Sequence, residues 1–148
     1  MFKLDSSRFP LVLVTASGEI TERDVDRLDA DFEHVFAHHR RFAIVTHSTI
    51  VRFPSTNVRE RIAAWAKRPD VHAATSLLNV GHAYVVGNAI VRSSMAALLW
   101  LWDPPNPQFA AATYQEGVDW ALVQLVETNA IDTHEALALR STLISETA

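Results

Sequence analysis

A β-rich apolar run followed at once by a capped amphipathic helix restricts the fold of this chain more than any other feature. Residues 10–17 are mostly aliphatic and β-branched and are followed by Gly18, which is typical of a buried strand. Thr21 and Asp24 then have the spacing of a capping box at a helix start. The apolar residues of this helix recur on one face: Val25, Leu28, Phe32, Val35 and Phe36. A second apolar run at 42–46 completes a strand–helix–strand unit.

Strands and helices alternate along the rest of the chain. Strands are expected at residues 2–5, 10–17, 42–46, 81–87 and 108–113, and helices are expected to start near residues 21, 57, 70, 89, 113 and 133. This order predicts an α/β fold with a single mixed, mostly parallel sheet of about five strands and covering helices, plus an appended C-terminal helix. We divide the chain into a domain at 1–126 and a helical extension at 127–148, which packs on the body or on a second copy.

The composition excludes several classes of protein. The chain has no cysteine, which rules out disulfides, zinc–thiolate sites and thiol catalysis. Its longest apolar stretch, residues 95–102, is far shorter than the roughly 20 residues of a membrane span. The first eight residues lack the apolar core of a secretion signal. We therefore expect a cytoplasmic protein without a membrane span.

Charge is distributed unevenly along the chain. The segment 40–68 contains seven basic residues and one acidic residue, whereas the remainder contains six basic and sixteen acidic residues. Such a split is typical of a protein that meets an anionic ligand or an acidic partner on one side. The alternative is that exposed helix faces need charge and that these faces are basic.

Five short segments follow one another in a characteristic series. They are SGEIT at 17–21, AIVT at 43–46, VRFPSTN at 51–57, FAAAT at 109–113 and EGVDW at 116–120. The series resembles the STAS domains of anti-sigma-factor antagonists and sulphate-transporter tails, and its end resembles the SpoIIAA-like (STAS/SEC14-like) branch. The resemblance covers residues 1–126. It implies a regulatory module that binds other proteins and has no enzymatic activity.

The loop before the second helix is where the resemblance implies regulation. In the anti-sigma-factor antagonists this loop carries a phosphorylatable serine in an Asp-Ser-Ser-Gly context. The matching residues here are Pro54, Ser55, Thr56 and Asn57, so both hydroxyls are retained while the acidic residue and the glycine are replaced. Ser55 and Thr56 are therefore the phosphorylation candidates.

The position of this loop at a helix start also favours binding, independently of the resemblance. A helix N-terminus presents unpaired N–H groups and a partial positive charge, which attract a phosphate or a carboxylate. Arg52 and Arg59 flank this position, so Arg52, Asn57 and Arg59 are candidates for anion or partner binding. The alternative is that Ser55, Thr56 or Asn57 simply caps the helix, and Asn57 with Glu60 has the best capping-box spacing.

The helix predicted at 89–102 is apolar on most of its sides. Its inward stripe is expected to be Val91, Met95, Leu98 and Trp102. Leu99, Trp100 and Leu101 lie off this stripe, so the helix is buried in a core or meets a second copy. These three residues are the candidates for a homodimer surface or an apolar ligand pocket.

Signatures of catalysis and metal binding are weak. His34 and His38 have the i, i+4 spacing of metal ligands, but a third ligand is not evident, and surface histidines are the better interpretation. No Gly-x-Ser-x-Gly motif, P-loop or dinucleotide fingerprint occurs. We therefore predict no catalytic residue, no bound metal, no cofactor and no nucleic-acid partner.

Two functions follow from these observations. The first is a non-enzymatic module that binds a partner protein through the loop and basic helix at 52–68 and forms a homodimer. The alternative is a domain that binds a small molecule or a lipid in an apolar pocket under helix 89–102, with Arg52 or Arg59 holding an anionic group. A closed core favours the module, whereas a cavity of several hundred Å³ lined by Trp and Leu favours the binder.

Overall fold

One mixed sheet with covering helices forms the body of the protein, as predicted. The structure is a computed structural model that describes residues 1–49, 54–102 and 104–147. The strands are β1 (Phe2–Asp5), β2 (Leu11–Ser17), β3 (Phe42–Thr49), β4 (Asn79–Val85) and β5 (Gln108–Ala111). The helices are α1 (Glu22–Phe36), α2 (Thr56–Lys67), α3 (Pro69–Leu78), α4 (Ala89–Trp102), α5 (Tyr114–Glu127) and α6 (Thr133–Thr147).

The strands lie in the sheet in their chain order. Strand β1 pairs with β2 in the antiparallel direction, and β2, β3, β4 and β5 pair with one another in parallel. The parallel pairs need crossover connections, which α1 to α4 provide. The mixed, mostly parallel sheet is thus confirmed, although β3 extends three residues beyond the predicted strand at 42–46.

Side chains that alternate along the strands divide the sheet into two faces. The face toward α1, here the α1 face, buries one apolar cluster: Val12, Val14, Leu28, Phe32, Val35, Phe42 and Ile44. The opposite face, here the α5 face, buries a second cluster that includes residues from the last two helices: Leu11, Ala43, Val45, Ala83, Val85, Ala111, Val118, Ala121, Leu122, Leu125, Ile131, Ala136 and Leu143. The C-terminal helix α6 therefore packs on the body of the protein.

Coverage of the α5 face is uneven. Helix α5 packs on β3, β4 and β5, and α6 packs on α5. A helix is about 10 Å across and neighbouring strands are about 4.8 Å apart, so one helix covers two or three strands of a sheet. Helix α5 therefore does not cover β1 and β2, and only α6, which packs on α5, lies near this half of the face.

Helix caps follow local hydrogen bonding. Thr21 and Asp24 form the expected capping box. Of the three candidate caps of α2, Ser55 is the one observed: its Oγ accepts from Val58 N at 3.3 Å, so Asn57, despite its capping-box spacing, is not the cap. The last helix is capped by Asp132, whose Oδ1 accepts from Glu135 N at 2.7 Å. In both cases the oxygen three residues before the donor is the one within reach.

The start of helix α4 departs from its predicted orientation. Val91, expected on the inward stripe, has an exposed fraction of 43%. Arg92 Nη1 instead points back to the sheet and donates to Val86 O at 2.9 Å. The helix is apolar on most of its sides, so its sequence period does not determine which side faces inward.

Close approach of α5 to the sheet depends on two glycines. A Cβ atom on Gly81 in β4 would lie 2.9 Å from the ring of Trp120 and 3.0 Å from Gln124 Cγ. A Cβ atom on Gly117 in α5 would lie 2.8 Å from Val85 Cγ2. Both distances are shorter than van der Waals contact, so larger side chains would push α5 away from the sheet.

Replacing Gly81 with alanine should destabilise the protein. The new methyl group would overpack the contact between β4 and Trp120, which costs about 1 to 3 kcal/mol of the free energy of unfolding. Chemical denaturation measures this change. Gly87→Ala is the matched control, because a Cβ atom there meets nothing within 4 Å. Equal stability of Gly81→Ala and Gly87→Ala would contradict the close packing.

Candidate functional site

The uncovered half of the α5 face forms a groove, here the sheet groove, with a cavity volume of about 560 Å³. Leu13 and Val45 of the sheet, Val118 of α5 and Leu143 of α6 are among the residues that line it. These apolar residues lie beside polar ones from β1, β2, β3 and α5. A cavity of this size, apolar with a few polar groups, is the usual form of a small-molecule site.

A row of polar side chains crosses the floor of the sheet groove. Lys3 pairs with Thr15 in the β1–β2 register, and Thr15 pairs with His47 in the β2–β3 register. Paired residues share a face and lie about 5 Å apart, so the three side chains form one line over β1, β2 and β3. The ring of His47 lies 6.0 Å from that of Tyr114, at the first turn of α5.

The acidic groups of the sheet groove are engaged by neighbouring residues. Asp119 Oδ1 accepts from Arg140 Nε at 2.8 Å, which also joins α5 to α6. Asp5 Oδ1 accepts from Ser7 N at 2.8 Å, and the Arg8 guanidinium lies 3.5 Å from Asp5 Oδ2. Hydrogen bonds from Ser7 hold the pKa of Asp5 below its usual range, and the charges of Arg8 and Lys3 add to this effect.

The start of α2 brings together most of the predicted loop candidates. Ser55, Thr56 and Asn57 are all exposed there. The hydroxyl of Thr56 accepts from Arg59 Nη2 at 3.2 Å, so Arg59 lies beside a phosphorylation candidate. Arg52 lies outside the described residues.

The rest of the basic helix is paired with acidic residues of other elements. Arg61 Nη2 donates to Asp26 Oδ1 on α1 at 2.6 Å. Arg68, which directly follows α2, donates two hydrogen bonds of 2.9 Å to Asp29 and two, of 2.7 and 3.1 Å, to Asp70. Hydrogen bonds from Arg68 lower the pKa of Asp29, with a smaller contribution from Trp65. The basic charge of α2 therefore balances the acidic charge of α1.

The side chains of Leu99, Trp100 and Leu101 lie outside the described residues, so the dimer surface and the apolar pocket expected at α4 stay predictions. The cavity of about 560 Å³ lies on the α5 face. A smaller hollow of about 410 Å³ lies between α5 and α6, where Val123 and Leu137 are exposed.

Metal binding and membrane insertion have no support in the described ranges. His38 stacks on Phe9 with ring centroids 4.0 Å apart. No group of three or more potential metal ligands occurs within residues 1–49, 54–102 and 104–147. Over the same ranges, the helices are too short or too polar to cross a membrane.

A second polar cluster lies on the α1 face, away from the sheet groove. Thr46 Oγ1 and His82 Nε2 are hydrogen-bonded at 2.7 Å, and the ring of His82 stacks on Tyr84 at 3.9 Å. Although both residues keep some solvent contact, burial lowers the pKa of His82 to about 3 and raises that of Tyr84 to about 12. His82 is therefore neutral at physiological pH, and Gln108 Oε1 on the neighbouring strand is buried without a hydrogen-bond partner.

No protein-family model, curated protein or solved structure matches this chain.

His82 should make the stability of the protein depend on pH. Its pKa is near 6.5 in the unfolded chain and about 3 in the folded one, so below pH 6.5 the unfolded state binds a proton that the folded state does not. The free energy of unfolding should therefore fall by about 1 to 2 kcal/mol between about pH 7 and pH 5. Chemical denaturation at both pH values, with His82→Gln as control, measures it. A flat wild-type profile, or the same slope in His82→Gln, would contradict the assignment.

Proposed function

We propose that this chain is a non-enzymatic binding module of STAS-like architecture that holds a small molecule in the sheet groove. The observation that carries the proposal is the cavity of about 560 Å³ on the half of the α5 face that α5 does not cover. Ligands of open α/β sheets bind beyond the carboxyl ends of parallel strands, and Thr15 and His47 lie toward those ends of β2 and β3.

Binding rather than catalysis is supported by the chemistry of the lining. The carboxylates of the sheet groove are held by arginines and by a backbone N–H group. A pair of carboxylates set for acid–base work needs pKa values that differ and lie near neutrality, whereas the pKa of Asp5 is lowered. Apolar floor residues and convergent polar groups instead suit the reversible binding of a small molecule.

Blocking the sheet groove should abolish ligand binding. Thr15 is exposed in the groove, so Thr15→Trp fills the cavity without entering the core. In a thermal-shift screen of small metabolites, a ligand at 100 times its Kd stabilises by about 2.7 kcal/mol, which raises Tm by about 5 to 10 °C. We expect hits on the wild type that Thr15→Trp loses.

Thr49→Trp is the matched control for this screen. Thr49 is also an exposed strand threonine on the same face, and it does not line the cavity. Its hits should equal those of the wild type. A screen without wild-type hits, or hits that Thr15→Trp retains in full, would overturn the proposed function.

A partner protein at the start of α2 is the second candidate function. The observation that favours it is the exposed set of Ser55, Thr56, Asn57 and Arg59, which occupies the position of the regulatory loop in STAS domains. Because Arg61 and Arg68 are paired within the chain, this surface is narrower than the 52–68 segment. A phosphate on Thr56 would lie beside Arg59 and the helix N-terminus, where both attract it.

A charged residue at the α2 cap should alter partner binding. Ser55→Asp keeps an oxygen that caps the helix and adds one negative charge to the exposed surface. Quantitative affinity purification from the native cell should then show at least one specific partner reduced or gained about fivefold. Thr142→Asp, an exposed position on α6, controls for added charge. Equal recovery of every partner by wild type and Ser55→Asp would exclude this surface.

A further inference from the structure

We propose that the ligand of the sheet groove is a compact molecule with one anionic group on an apolar body, and that Lys3, Thr15 and His47 bind the anionic group. The inference rests on the proposed function of the groove and adds the class of ligand and its orientation. It applies to a small molecule, because the cavity of about 560 Å³ has the size of a small-molecule site.

The balance of charge in the groove favours an anion. Asp119 is paired with Arg140, and Asp5 is paired with Arg8. The two carboxylates that line the groove each have an arginine partner, and no ion pair of Lys3 occurs among the described residues, so the Lys3 ammonium adds positive charge beyond these two pairs. An anionic group beside Lys3 would accept a charge-assisted hydrogen bond from its ammonium group, in place of a hydrogen bond with water.

The three polar side chains offer the right hydrogen-bonding groups. An ammonium group, a hydroxyl and an imidazole can all donate to a carboxylate. Their registered positions on β1, β2 and β3 span roughly 10 Å, with Thr15 in the middle. A group of carboxylate size placed over Thr15 is therefore within reach of both long side chains.

The apolar body has its own place in the groove. Leu13 and Val45 precede Thr15 and His47 by two residues on the same face, so the apolar floor continues directly from the polar row. Val118 and Leu143 face this part of the floor from α5 and α6. An amphipathic molecule would lie along the strands, with its charged end toward their carboxyl ends.

A trio of probes with one shared body tests this inference. 4-Phenylbutyrate, 4-phenylbutan-1-ol and 4-phenylbutylamine differ only in an anionic, neutral or cationic end group. Isothermal titration and NMR shifts of His47 and Tyr114 report affinity and place of binding. We expect the acid to bind about tenfold more tightly than the alcohol, and the amine to bind most weakly.

Variants of Lys3 test whether this side chain causes the preference for the anionic probe. Lys3→Met should weaken binding of 4-phenylbutyrate about tenfold and leave the alcohol unchanged, while Lys3→Arg should restore most of the affinity. Lys67→Met is the matched control, because Lys67 on α2 is the only other lysine of the chain. It should bind all three probes as the wild type does.

The results distinguish an error in the class of ligand from an error in the place of binding, which is the proposed function of the groove. If acid and alcohol bind equally in the wild type, or if Lys3→Met retains full affinity for the acid, the anion assignment is wrong although the groove still binds ligands. If Thr15→Trp binds the acid as tightly as the wild type does, the acid binds elsewhere and the assignment of the groove itself is wrong. Binding to anionic phospholipid vesicles that 4-phenylbutyrate does not displace would also overturn the inference.

Discussion

Contact between α5 and the sheet is the constraint on which the rest of the structure depends. Gly81 and Gly117 let the helix and the strands approach to distances that a Cβ atom would prevent. This contact holds α5 over β3, β4 and β5, and α6 then packs on α5 rather than over the whole sheet. The groove over β1 and β2 follows from the topology, because one closely packed helix is too narrow for five strands.

Charge pairing between helices determines which surfaces remain available to other molecules. The acidic face of α1 and the basic face of α2 neutralise one another through Arg61 and Arg68. Two of the seven basic residues at 40–68 are therefore engaged with acidic residues inside the molecule. The start of α2 and the sheet groove both present polar groups to solvent. The groove also offers apolar surface, which makes it the better ligand site.

Much of the fold could be predicted from sequence because its signals are local. The strand at 10–17, the Thr21 capping box and the alternation of elements need only neighbouring residues to be recognised. The sequence left the cap of α2 open between Ser55, Thr56 and Asn57, because all three side chains can cap a helix, and the structure has Ser55. The exposed start of α4 was missed, because an apolar helix has no marked period.

The site was less predictable, because its residues meet only through the fold. Lys3, Thr15 and His47 are separated by many residues, and strand register alone brings them into line. Pairing of α2 arginines with α1 carboxylates is likewise a contact between elements. On the groove side of β2, Leu11 and Leu13 are followed by Thr15 and Ser17, and this change from apolar to polar residues is one signal that the sequence contains.

Solvent accessibility of two leucines on β2 distinguishes an open groove from a closed α5 face. Leu11 and Leu13 lie on the same face of β2, but Leu11 is buried in the core whereas Leu13 lines the groove. Methyl NMR with a soluble paramagnetic gadolinium chelate measures their exposure. If the groove is open, we expect strong relaxation enhancement at Leu13 and little at Leu11. Equal protection of both residues would show that the α5 face is closed and would contradict a binding groove there.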